Sequence, residues 1–215
     1  MSWLTKTLNS SVGKKLMMAI SGLLLILFLV GHLAGNLLLL RGDEGKAFNE
    51  YAEFMSTNPG VQFTAWAFKV FFAVHIIWAI ILILKNRAAR GGQGYAKVNT
   101  SGSSASRYMG VLGSLIFVFL VIHLGQFWAQ VHYGGLTDLY AEVVRTYQNP
   151  IWVAIYVFSM VVLAYHLWHG FQSAFQTLGV NNKKYTPIVK AAGYGYAVVI
   201  PFMFAIIPVI MFISK

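Results

Sequence analysis

Five stretches of the chain are apolar for long enough to cross a bilayer, and polar connections separate them. Leu16–Leu40 holds no Asp, Glu, Lys or Arg, and Phe63–Leu84 holds one charge, Lys69. Tyr108–Val131, Pro150–Leu178 and Ile188–Ile213 follow, the last interrupted by Lys190 near its start. A spanning helix needs roughly 20 mostly apolar residues, so each stretch predicts one. The first lacks a small-residue cleavage site and reads as a retained helix rather than a signal peptide. Tyr51–Met55 predicts the start of a short helix, and Asn58-Pro59-Gly60 the turn into the second span. Gly91–Ser106 reads as a flexible polar loop. Pro201 and Pro208 predict a kink in the fifth helix. No internal repeat is evident. The expected fold is a single all-α membrane domain over residues 1–215, a bundle of five transmembrane helices.

Composition narrows the class. Of 215 residues 58% are hydrophobic, 15% aromatic and only 10% charged, where soluble domains carry about 25% charge. That excludes a water-soluble globule, a disordered chain and a nucleic-acid-binding domain. The absence of cysteine excludes disulfides, thiolate-held zinc, iron–sulfur clusters held by this chain, and thioether-attached haem.

The net charge of +10 then reads as topology. Lys6, Lys14 and Lys15 precede the first span; Lys85, Arg87, Arg90, Lys97 and Arg107 lie in the second connection; Lys183, Lys184 and Lys190 lie in and just beyond the fourth. Those eleven share one side with no acid. The other side carries Arg41, Lys46, Arg145, Lys215 and all six acids, Asp43, Glu44, Glu50, Glu53, Asp138 and Glu142. The positive-inside rule predicts a cytoplasmic N-terminus and an external C-terminus.

Ionisable residues inside a membrane are costly and point to function. His32, His75 and His123 lie in spans 1, 2 and 3, His166 and His169 in span 4, and His132 at the end of span 3. Helical rise places His32 and His123 roughly 25 and 24 Å above the basic side, and His75 and His166 roughly 15 and 18 Å. The spacing therefore predicts an outer pair, His32 with His123, and an inner pair, His75 with His166, although depth alone admits His169 in the place of His166. Two histidines from different helices at one depth suit a b-type haem, whose iron takes one imidazole on each face. Two pairs predict two haems stacked across the bilayer. Zinc fits poorly, since no carboxylate lies near either pair, and a proton relay would mix acids with the histidines. Gly31, Gly35, Gly125 and Gly170 flank the histidines and permit close approach, their ordinary role being helix packing. Trp78, Phe127, Trp128 and Trp168 are candidate haem-lining residues, although such aromatics are more often bundle core or interface anchors. Lys69, roughly 24 Å up, is level with the outer pair; it either salt-bridges a haem propionate or snorkels to the headgroups.

The chain resembles the membrane-anchor cytochrome b subunit of succinate dehydrogenase and fumarate reductase (respiratory complex II), in its single-chain, five-helix, dihaem form. The resemblance rests on Gly31-His32-Leu33-Ala34-Gly35-Asn36, on Arg41-Gly42, Ala47-Phe48-Asn49 and Phe54-Met55 in the first loop, on His75, and on Ile122-His123-Leu124. Most specific is His166-Leu167-Trp168-His169-Gly170-Phe171-Gln172-Ser173 through Thr177-Leu178-Gly179. It implies that His32 and His123 bind the outer haem and His75 and His166 the inner one; the helix-4 histidine that does not ligate, then His169, either hydrogen-bonds a propionate or a quinone or merely caps the cytoplasmic end of the bundle. It implies as partners a flavoprotein with FAD and an iron–sulfur protein on the cytoplasmic face of a bacterial inner membrane, with menaquinone as substrate. Asn36, Glu50, Glu53 and Lys69 become candidates for the quinone region near the outer haem, although loop acids such as Glu50 and Glu53 are commonly just solvated. Some members of that family carry a glutamate in the fourth helix; here Ala164 precedes His166 by two residues and the helix has no acid. Two alternatives compete: the cytochrome b subunit of a formate dehydrogenase or hydrogenase, and a small histidine-dependent transporter.

Overall fold

A computed structural model describes residues 10–90, 104–180 and 182–214. Lys6, Lys97, Lys215 and most of the loop expected over Gly91–Ser106 lie outside the described residues, as do the side chains of Arg90 and Arg107.

The described residues are helical with no strand. In chain order they form α1 (Ser11–Asn36), extended by a 3-10 turn over Leu37–Leu40; α2 (Lys46–Thr57); α3 (Pro59–Arg90); and α4 (Ser104–His123), continued by a π-turn over Leu124–Trp128 into α5 (Ala129–Tyr133). Then come α6 (Leu139–Tyr147), α7 (Pro150–Thr177) and α8 (Thr186–Ile213). Five helical stretches are long and apolar enough to cross a membrane: Ser11–Leu40, Pro59–Lys85, Tyr108–Tyr133, Pro150–Thr177 and Thr186–Ile213.

Three of these spans begin at a polar cap, two of them a few residues before the apolar run. The Ser10 hydroxyl accepts from the Gly13 amide at 3.0 Å, so α1 starts ahead of Lys14 and Lys15. Asn58 accepts from Gly60 and Val61 at 3.0 and 3.1 Å, and Pro59, which has no amide hydrogen to leave orphaned, opens α3. Asn149 and Pro150 repeat this arrangement for α7, with the Ile151 amide 2.9 Å from the Asn149 side chain. Helix α8 runs on through Pro201 and Pro208, both buried.

Helix α1 packs on α3 and α7, α4 packs on α7, and α3 and α4 scarcely touch; α8 lies along α7 and also meets α1. Four spans thus form a square in the order α1, α3, α4, α7, with α8 outside it. The square's diagonals are α1 with α4 and α3 with α7, and neither brings backbones together over any length. Leu27, Val70, Val118, Val161 and Phe202 are more than half exposed, as expected of surface meant for lipid.

At the end opposite the N-terminus, the two long connections fold into a lid. Helix α2 was expected to begin at Tyr51, and it begins five residues earlier, at Lys46; α6 is an element that the apolar pattern did not announce. Asn49 of α2 donates to Asp138 at 2.9 Å and accepts from the Tyr140 amide at 3.0 Å. Asp138 caps α6 through the Ala141 amide at 2.9 Å, and these hydrogen bonds hold its carboxyl below the usual carboxylate range. Gly45, at φ 81°, turns the chain into α2 where a side chain would collide with the Tyr140 ring. The buried core lies just beneath: Leu33, Leu39, Phe48, Phe127, Val143, Tyr147, Tyr156, Ile200 and Ile207.

Candidate functional site

The two diagonals of the square are bridged by histidines. His32 of α1 and His123 of α4 have ring centroids 5.8 Å apart. His75 of α3 and His166 of α7 have centroids 6.3 Å apart. The ring that faces His75 is therefore His166, and His169, one turn further along α7, stands beside the pair rather than in it.

Aromatic rings wall in the first pair. Phe28 stacks on His32 at 5.2 Å, and Phe204 of α8 lies 5.6 Å from it. Phe119 stacks on His123 at 5.6 Å, with Phe127 at 5.5 Å and Tyr156 at 6.1 Å. Asn36, one turn beyond His32, donates to the His32 carbonyl at 2.7 Å and places its amide nitrogen 3.5 Å from Nε2.

The second pair is approached by one hydroxyl. Ser21 of α1, almost fully buried, lies 3.2 Å from the His75 Nδ1. The Nδ1 of His166 is buried without a hydrogen-bond partner among the described residues.

Compared with family models, with curated proteins and with solved structures, the chain matches none.

What the histidines can hold follows from donor count and spacing. Among the described residues no three His, Asp or Glu side chains converge, so the imidazoles come in twos, short of the four ligands that a structural zinc ion takes. Two imidazoles on opposite faces of one iron, each bound at about 2 Å, hold their centroids about 6 Å apart. The angle between the ring planes is free, because each ring turns about its own metal–nitrogen axis, so the observed 86° and 68° are both acceptable. Each pair spans a diagonal where backbones stand apart, the shape required by a flat macrocycle between helices. The donor set and its setting therefore fit two bis-histidine haems.

The remaining candidates divide. Lys69 lies between two indoles, 4.4 Å from the Trp66 ring and 4.8 Å from the Trp128 ring, so its ammonium ties α3 to the turn after α4. Glu50 and Glu53 are exposed on α2. Trp168 is 40% exposed and pairs with Tyr194 at 4.5 Å, while His132 stacks on Trp128 at 4.7 Å. Gly31, Gly125 and Gly170 do not serve helix packing, since a Cβ at any of them would meet nothing within 4 Å. Close approach falls instead at Gly35, where a Cβ would strike Tyr51, and at Gly193, where it would meet Phe171.

Ser21, Phe28, Gln126, Tyr156 and Phe204 were not singled out from the sequence. Phe28 stands one helical turn before His32, a readable signal. Ser21, Tyr156 and Phe204 come from helices other than that of the histidine they touch, and no spacing rule reaches across helices.

Proposed function

We propose that this chain is the dihaem cytochrome b subunit that anchors a succinate dehydrogenase or fumarate reductase to a bacterial inner membrane and carries electrons between its iron–sulfur subunit and menaquinone. The observation that supports the reading best is the pair of histidine bridges on crossing diagonals, at centroid separations of 5.8 and 6.3 Å. His32 and His123 would hold the outer haem, His75 and His166 the inner one. When bound, two such groups supply one-electron centres stacked across the bilayer.

The chain's own residues do the rest. Four imidazoles would hold the two groups, and Phe28, Phe119, Phe127 and Phe204 shield the outer pair. The spans contain no Asp or Glu, so the chain offers no carboxylate to carry a proton through the bilayer. Basic residues at the ends of spans 1, 2 and 4 support a cytoplasmic N-terminus, which gives the FAD-bearing flavoprotein and the iron–sulfur protein one face on which to dock. The dicarboxylate chemistry belongs to those partners. Asn36, beside His32, is the candidate nearest the outer pair for a quinone contact, with Lys69, Glu50 and Glu53 toward the same end.

A dithionite-reduced minus oxidised spectrum of the purified chain, with pyridine-haem quantification, tests this. Two b haems per chain, falling to one in His123→Ala, are expected. A folded chain, made with ample haem, that shows no Soret band would overturn the reading.

A further inference from the structure

Each histidine pair contains one ring held by a hydroxyl whose own proton is already committed. A serine or tyrosine hydroxyl has a single proton to donate. Ser21 gives it to the Met17 carbonyl at 2.7 Å, with the Met18 carbonyl at 3.2 Å. Toward His75 Nδ1, at 3.2 Å, the Ser21 oxygen can only accept. The ring lies against α1 at Gly22, where a Cβ would come within 3.4 Å of Cε1.

The other pair repeats this chemistry with different residues. Tyr156 donates to the Gln126 side-chain oxygen at 2.8 Å, and its phenol oxygen stands 3.4 Å from His123 Nδ1. Gln126 itself sits in the π-turn that directly follows His123, a local irregularity frequent at functional sites. His166 has no such anchor: its Nδ1 has no hydrogen-bond partner among the described residues.

From this we infer that Ser21 and Tyr156 are positioning residues that fix the tautomer of His75 and His123, placing the proton on Nδ1 and leaving the lone pair on Nε2. Its use rests on the haem-binding reading; the tautomer itself does not. An imidazole that donates from Nδ1 is a stronger donor through Nε2, and partners of this kind orient metal-binding histidines. Ser21 thus serves the inner site and Tyr156, backed by Gln126, the outer one.

The test uses the full-length chain in detergent with ¹⁵N-labelled histidine. In the haem-free chain the ring nitrogens of His75 and His123 should report the Nδ1–H form. Ser21→Ala should turn His75 alone into a mixture of tautomers and Tyr156→Phe should do so for His123 alone, while Ser21→Thr restores the wild-type state. In the haem-loaded chain, losing either hydroxyl weakens one ligand and shifts one midpoint potential upward. At fixed ambient potential this reads as about a fivefold rise in the reduced-to-oxidised ratio of that site alone. Unchanged tautomers in both variants, or equal shifts at both sites, would overturn the inference. A chain that takes up no haem would overturn the proposed function instead, and the tautomer spectra would still decide the roles of Ser21 and Tyr156.

Discussion

His166 and His169 are three residues apart on α7 and therefore share a broad face, yet only His166 reaches across the bundle to His75. The difference is angular, since three residues advance a helix by roughly 300°, and that offset turns His169 away from the diagonal. A residue-scale prediction follows from the proposed role: His166→Ala removes one of two haems, whereas His169→Ala retains both, as counted by pyridine haemochrome. Loss of a haem from both variants would mean that the 6.3 Å pairing is not the ligand pair. Lys69 shows the same sensitivity to neighbours. A lysine at that height is costly in hydrocarbon, and two indole faces lower the cost, cation–π contacts contributing about 0.5–2 kcal/mol each.

The helices that matter most outside the spans are the two short ones of the lid. Asp138 caps α6 and receives the Asn49 side chain from α2, so one carboxylate serves both elements. Asp138→Ala is expected to cost about 1 kcal/mol of stability at pH 7, the usual worth of an N-cap. Its folded pKa is depressed, so the contribution is fully present above the unfolded value of about 3.9 and is lost as pH falls through the lower, folded value. Thermal unfolding in detergent should therefore separate wild type from Asp138→Ala at neutral pH, and the gap should narrow below about pH 4. A constant gap would assign the cost to packing rather than charge. The lid also shows where the apolar pattern falls short. Helix α6 is amphipathic and only nine residues long, too short to register as a run, and its signal was the Asp138 cap followed by apolar residues at helical spacing.

For the whole molecule, the distribution of charge makes an orientation testable, and a chain without cysteine is a convenient background. In right-side-out vesicles, Glu50→Cys should react with a membrane-impermeant maleimide, and Lys183→Cys should react only after permeabilisation. The reverse pattern would invert the orientation and move the docking face for the proposed partners to the other side. The square of four spans with α8 outside it gives α8 two tasks: Phe204 supports His32, and the Tyr196 hydroxyl donates to the Ile26 carbonyl of α1 at 2.6 Å.

The sequence by itself determined the five spans, whose ends fall within five residues of those expected, because hydrocarbon tolerates only long apolar helices and every Asn or Ser cap is local. It also determined the depths of the histidines, since helical rise is constant, and hence which pairs were possible. Pattern and depth could not determine that α1 and α4 stand diagonally or that α3 and α4 barely meet, and they left His166 and His169 open where only the family resemblance favoured His166. Those outcomes depend on the rotation and neighbours of each helix, which are set by packing among residues far apart in the chain. The hydroxyls of Ser21 and Tyr156 belong to the same class. A mid-helix serine reads as one that bonds its own backbone, and only the neighbouring helix makes its oxygen an acceptor for a histidine.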